Sequence, residues 1–271
     1  MADIGNEHQS ASSHRDVVEK LWTAPVYEAC VTEISVPSAS SLLVAEARCG
    51  HIPERILSLI PEDTRVIALD PSRAMLDLAR QRMDESAQRR VFFVPQRVGA
   101  LSYADDVFKA SICLNGVVTA REAEEALKEL ARVTCPGGQI IFGVPLNTCF
   151  PEFFDILDEA LRAHQLHDVL GRMYDMQESL LTPGLLSEIA ESAGLHDTVF
   201  QELSWDVSFA SGQELLMSPL IRETFYPHWM GVIRSSDRDA ILRYIADAVD
   251  TYWHDDEFTC HVVAGCLRAI C

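Results

Sequence analysis

The sequence is poor in the patterns that would place it among metal, redox or secreted disulfide proteins. Its eight cysteines, Cys30, Cys49, Cys113, Cys135, Cys149, Cys260, Cys266 and Cys271, include no C-x-x-C pair, which removes the usual zinc-ribbon and thioredoxin-type spacings. Cys113 and Cys260 sit inside apolar runs and read as small core residues. No H-E-x-x-H occurs. His164 and His167, three apart, are read as one polar helix face. His254-Asp-Asp-Glu257 carries ligand-type residues but reads as a solvated turn, so no metal is expected. Long apolar runs are missing as well, and none would cross a bilayer. The stretch Met1 to Arg15 lacks the basic flank and apolar core of a secretory signal. The expectation is a cytoplasmic protein with a polar N-terminal tail. Positive charge is scarce: 22 lysines and arginines stand against 41 acids, for a net charge of −19. Such a surface repels phosphate backbones and anionic lipid heads, which argues against a nucleic-acid partner and against peripheral membrane binding.

What remains is enough for one elaborated α/β domain: 271 residues, 48% hydrophobic and 23% charged, without repeats or low-complexity segments. Asp16 to Ile34 has helical apolar spacing interrupted by Pro25, and Val36 to Ser41 reads as a linker. Short apolar runs suited to buried parallel strands then recur at Ser41–Ala47, Arg65–Leu69, Val91–Val94, Phe108–Leu114 and Gln139–Val144. Helical patterns separate them: one after Gly50, one long helix from Ser72 to Arg89, and one from Glu122 to Thr134 that stops at Pro136-Gly137-Gly138. This rhythm predicts a doubly wound, mostly parallel, seven-stranded sheet with helical additions. The later strands are expected at Thr198–Ala210 and Phe258–Ala269, with helices at Phe153–His164, Leu185–Ala193 and across Gln213–Tyr252. In domain terms, residues 1–40 form a tail with flanking helices, and residues 41–271 form the main domain with a helical cap around 147–197 and 211–256.

Three stretches carry chemistry. The first strand runs into Glu46-Ala-Arg48-Cys-Gly50-His-Ile52, a turn before a helix. The second strand ends at Asp70, followed by Pro71-Ser72 and Met75-Leu76; Asp70 also suits a helix cap or first turn. The third is Arg97-Val-Gly-Ala-Leu101-Ser-Tyr103-Ala-Asp105-Asp-Val-Phe108-Lys109.

In this order the pieces resemble the class I S-adenosylmethionine (SAM) methyltransferases, in particular the small-molecule type of ubiquinone and biotin biosynthesis. The resemblance rests on motifs between Ser41 and Leu146, and beyond them on topology. It implies that the turn should read D/E-x-G-x-G-x-G and cradle the cofactor. Here Glu46 and Gly50 keep their types, while Arg48 and Ile52 replace glycines. It also implies that Asp70 takes the ribose-binding position and that an acid should stand where Arg97 stands. The scaffold positions are thus kept and the cofactor positions altered. The implied cofactor-binding set is Glu46, Gly50 and Asp70, opposed by Arg48, Ile52 and Arg97. Arg48 and Arg97 are expected to pair with acids such as Glu46 and Asp70, closing the cleft from within.

The first reading is a pseudo-methyltransferase, or a divergent relative, that acts by interaction or altered chemistry with no SAM. The alternatives are an active SAM-dependent methyltransferase on a small or lipid-like acceptor, and an enzyme of another chemistry in the same pocket. Partners are accordingly a small-molecule acceptor or a protein. The aromatic run Phe225-Tyr-Pro-His-Trp229 is expected in a loop, where His228 is the one candidate base.

Overall fold

The computed structural model describes residues 12–32 and 34–271, so most of the polar N-terminal tail lies outside the described residues. Two helices come first: α1 (His14–Thr23), wound with the wide i→i+5 pitch, and α2 (Ala24–Cys30). Pro25 falls in the first turn of α2, where its missing N–H costs nothing. The alternating core follows as β1 (Ser41–Ala45), α3 (His51–Ile56), β2 (Arg65–Leu69), α4 (Arg73–Arg82), α5 (Glu85–Gln88), β3 (Val91–Val94), β4 (Phe108–Cys113), α6 (Ala120–Val133) and β5 (Thr134–Pro145). The second half contributes α7 (Pro151–Ala163), α8 (His167–Glu178), α9 (Pro183–Ser192), β6 (His196–Phe209), α10 (Gly212–Met217), α11 (Tyr226–Trp229), α12 (Ser235–Tyr252) and β7 (Phe258–Ile270).

The seven strands form one sheet in the order β3-β2-β1-β4-β5-β7-β6. β1 pairs in parallel with β2 and β4, β2 with β3, and β4 with β5. β7 is the exception, running antiparallel to both β5 and β6. Both faces of the central strands are covered. Leu42, Val44, Val66 and Ile112 face a core shared with Trp22, Ile52 and Phe153. Leu43, Ala45, Leu69 and Phe142 face one shared with Leu127, Leu130 and Leu186. Burial on both faces is why these strands are continuous apolar runs with no polar alternation. Since β1 is flanked by β2 and β4, the chain order reverses there, and the carboxyl ends of β1 and β4 open a crevice of the type where doubly wound sheets bind ligands.

Several local expectations change. The long helix expected from Ser72 to Arg89 is broken: Met83 is extended, and Asp84 starts α5 by accepting from the Ala87 N–H. An aspartate that can cap a new helix competes with continuing the old one. β5 begins at Thr134, directly after α6, and Pro136-Gly137-Gly138 form an irregularity within it: Phe108 pairs with Thr134, Ala110 with Gln139. α8 lies within the helical cap expected around 147–197, in a stretch where the spacing marks no separate helix. His164 and His167 therefore do not share a helix face; α7 ends at Ala163, Gln165 turns the chain at φ +57°, and His167 opens α8.

The aromatic run is likewise no loop. Leu220–Phe225 winds with the same wide pitch as α1, and α11 continues from it. Phe225 and Trp229 are buried and stacked with centroids 5.0 Å apart, with Phe150 and Phe153 packed against Trp229 at 5.4 and 4.6 Å. These rings are core. His254 is exposed and lies 2.8 Å from its neighbour Asp255, and among the described residues no three His, Cys, Asp or Glu side chains gather as a metal would require.

Candidate functional site

The crevice at the carboxyl end of β1 is built by backbone hydrogen bonds before any side chain enters it. The Ala47 N–H donates to Leu69 O (2.7 Å), tying the turn to the end of β2, and the Gly50 N–H donates to Ala47 O (3.0 Å). Glu46 and Arg48 both adopt positive φ, +51° and +49°. Two non-glycine residues in that region cost of order 1–3 kcal/mol each, and such strain clusters at functional sites. Gly50, at φ +87°, is held by packing: a Cβ there would lie 2.8 Å from the Ala79 Cβ of α4. Its glycine character follows from the approach of α4 and requires no ligand.

Asp70 is fully buried. Its Oδ2 accepts from the Arg48 N–H (3.0 Å) and its Oδ1 from the Ser72 N–H (2.9 Å), while Ser72 caps α4 by accepting from the Met75 N–H (3.3 Å). The helix cap is therefore Ser72, and Asp70 is the brace between the two loops. Between Glu46 and Asp70 lies the Arg48 guanidinium, with Nη2 3.6 Å from Glu46 Oε2 and Nε 3.8 Å from Asp70 Oδ2. Neither contact reaches hydrogen-bond length. Nε is buried and, among the described residues, has no hydrogen-bond partner. Burial raises the Glu46 carboxyl to about 7, against the pull of Arg48, and Asp70 pushes it further up.

The expected pairing is met by one arginine and not the other. Arg97 is exposed and, among the described residues, makes no ion pair within 4 Å. It lines a 220 Å³ cavity with Glu46, Gly116 and Glu122. It stands at the exposed side of that cavity because it follows β3 in a surface loop, whereas Arg48 is carried inward by the β1 turn. Ile52 is completely buried in the core under α3 and faces no cleft. His228 is half-buried on α11. Burial pushes the Glu122 carboxyl up, but the backbone N–H donors of Thr119 and Val118 prevail and hold it below its usual value, with His228 a lesser influence in the same direction.

Sequence reasoning missed the roof of the site. Gly116, at φ +78°, follows β4, and a Cβ there would meet Glu46 Oε2 at 2.7 Å and Arg48 Nη2 at 2.8 Å. Its neighbour Asn115 donates to Glu46 O (3.3 Å) and accepts from the Thr23 hydroxyl (2.8 Å). Trp22 donates to Leu114 O (3.2 Å), so α1 is fastened across the strand ends. His14, buried at the other end of α1, has its Nδ1 3.5 Å from Glu223 Oε2. Burial lowers its pKa, the Glu223 contact works against that, and Arg48 adds to it. The Asn115-Gly116 dipeptide after a strand is the turn signal that could have found this roof.

With this geometry in place, residues 47–138 match the family model described as a methyltransferase domain. A ubiquinone/menaquinone biosynthesis C-methyltransferase (UbiE) of Hahella chejuensis is 24% identical over 158 residues, which is 57% of this chain and 60% of that relative. The chain thus spans about three fifths of that curated relative. Among solved structures, YcgJ of Bacillus subtilis aligns with a TM-score of 0.50 at 16% identity, over 86% of this chain and 92% of that one. Phosphoethanolamine N-methyltransferase 2 of Haemonchus contortus, solved with SAM, aligns with a TM-score of 0.50 at 13% identity, over 92% of this chain and 51% of that one. At such identities the structures speak for the fold alone. Strand order, the family match over residues 47–138 and the relatives agree, and the chain is similar in fold and in that segment to the class I SAM-dependent methyltransferases.

Proposed function

We propose that the protein is a SAM-dependent methyltransferase for a small organic acceptor, with Arg48 resting in the cofactor cradle and leaving it when the cofactor binds. The observation that carries this reading is the poor seating of Arg48. A guanidinium committed to closing a cleft would make charge-assisted bonds of roughly 2.7–2.9 Å. This one stands 3.6 and 3.8 Å from its acids and leaves a buried Nε unpaired. An unpaired buried donor costs about 1–3 kcal/mol, a penalty relieved when the side chain swings to water.

The residues present fit SAM in charge, and in space once Arg48 has moved. Glu46 and Asp70 form a buried acidic pair facing one cation, and the cofactor is itself cationic. SAM supplies a methyl group activated on a sulfonium. Glu46 would balance the positive charge of the cofactor, Asp70 would brace the turn through the Arg48 and Ser72 amides, and α1 would exclude water through Trp22 and Thr23. Catalysis then rests on positioning the acceptor in line with the methyl group.

The full engagement of both Asp70 oxygens favours a second reading, in which the cleft stays closed and the fold acts by binding a partner. Thermal unfolding with rising S-adenosylhomocysteine, beside adenosine as control, separates the two. A ligand that binds only the folded state raises the midpoint with concentration. The proposal expects that rise, and a midpoint unmoved at millimolar ligand sinks it.

A further inference from the structure

Away from the cleft, a 550 Å³ groove lies between α10, the Leu220–Phe225 segment and α12. That volume falls within the range of roughly 300–1,000 Å³ typical of small-molecule pockets. Its walls are apolar, formed by Leu216, Met217, Tyr226 and Leu242, and Met217 is 55% exposed. Two arginines stand among them, Arg222 and Arg243. Neither has a carboxylate within 4 Å among the described residues. Arg222 contacts the Met217 sulfur at 3.9 Å, and Arg243 donates only to the Asp239 carbonyl at 3.1 Å. Glu214, the acid on α10, is turned away and accepts from the Ala210 N–H at 2.7 Å.

In a chain of net charge −19, this is a local reversal of sign beside an exposed apolar wall. We infer that the groove binds a single-chain amphiphilic anion, its carboxylate or phosphate head held by Arg222 and Arg243 and its alkyl chain laid along Leu216, Met217 and Leu242. Planar guanidiniums match such heads with paired hydrogen bonds. The occupant is a free molecule and not a bilayer, because a chain of net charge −19 is repelled by an anionic membrane while one headgroup feels mainly the two arginines. The site is independent of methyl transfer. It adjoins the cleft all the same: Leu220–Phe225 offers Arg222 to the groove and Glu223 to His14 over the cofactor site.

Isothermal titration of the full chain with decyl phosphate below its micelle concentration tests this, beside decyltrimethylammonium and inorganic phosphate. The inference expects saturable one-to-one binding of decyl phosphate alone. Arg222→Gln and Arg243→Gln, both at exposed positions that leave folding intact, should each weaken it by about tenfold, the loss of one charge-assisted contact. Met217→Glu should abolish it. Equal binding of the cationic amphiphile, unchanged affinity in both glutamine variants, or absence of binding would overturn it. So would flotation of the protein with phosphatidylglycerol vesicles that Arg222→Gln prevents. Sedimentation showing a dimer that Met217→Glu dissolves would also overturn it, by giving the groove to a second copy.

Discussion

Two arginines near the cofactor loop meet acids in opposite ways. Arg82, on the flank, donates to Glu19 at 2.6 and 2.9 Å and to Glu54 through Nε, and His51 joins Glu19 at 3.1 Å. Each of these Arg82 donors meets a carboxylate at hydrogen-bond length, although His51 Nε2 is buried without a hydrogen-bond partner among the described residues, and the network ties α1 to α3 and α4. Arg48, at the strand ends, stands between two buried acids at contact distances with no hydrogen bond. The same residue types serve as a rivet in one place and as a removable occupant in the other. What separates them is geometry: a satisfied network rigidifies, a half-satisfied one is poised to rearrange.

Removing the brace should have the largest effect. Asp70→Ala strips the acceptor from two backbone amides and leaves Arg48 facing Glu46 alone, and a loss of about 3–5 kcal/mol is expected in urea unfolding. A loss below that of an exposed pair would erase the distinction between the two arginines.

The two clusters should also respond to opposite ends of the pH scale. The folded carboxyl of Glu46 is raised from 4.5 to about 7. Between those values the folded state holds more protons than the unfolded one, so stability falls as pH rises and levels off above 7, by roughly 3 kcal/mol. Glu46→Gln should flatten that slope. Glu19 goes the other way: burial pushes it up, but the hydrogen bonds from His51 and Arg82 prevail and hold it at about 2. Its contribution, about 2 kcal/mol allowing for partial exposure, is present above pH 4.5 and lost as pH falls toward 2. Glu19→Gln should remove that acid limb and leave the neutral one untouched. Unfolding midpoints across pH 2–8 read both effects.

The smallest effect belongs to the surface. Arg234, paired with Asp168 at 2.9 Å with both side chains more than half exposed, should lose no more than about 0.5 kcal/mol on change to alanine. A larger loss would mean that exposed pairs carry weight here which the comparison assigns only to buried ones.

Much of the sheet was legible because β2 and β3 are short, largely apolar runs that stop at Asp70 and Pro95, and their observed limits match those runs. The limits of α8 within the expected helical cap were not, since it buries only Val169, Leu170 and Met173. At the site, the convergence of Glu46, Arg48 and Asp70 could be read from their places at two strand ends. The role of Gly50 could not, because it depends on Ala79 arriving from α4. Gly116 and the His14–Glu223 contact were hidden for the same reason: each is defined by a partner remote in sequence. Arg97 misled because a motif position does not show whether its side chain turns inward or to solvent.

The central claim is that Arg48 yields to the cofactor. Isothermal titration of the unaltered chain and of Arg48→Gly with SAM and S-adenosylhomocysteine tests it directly. Glycine suits the φ of +49° at this position and vacates the cradle. The account predicts measurable binding by the unaltered chain and binding about tenfold or more tighter by Arg48→Gly, the arginine no longer competing. Equal affinity in the two proteins would contradict displacement, and binding by neither would remove SAM from this cleft altogether.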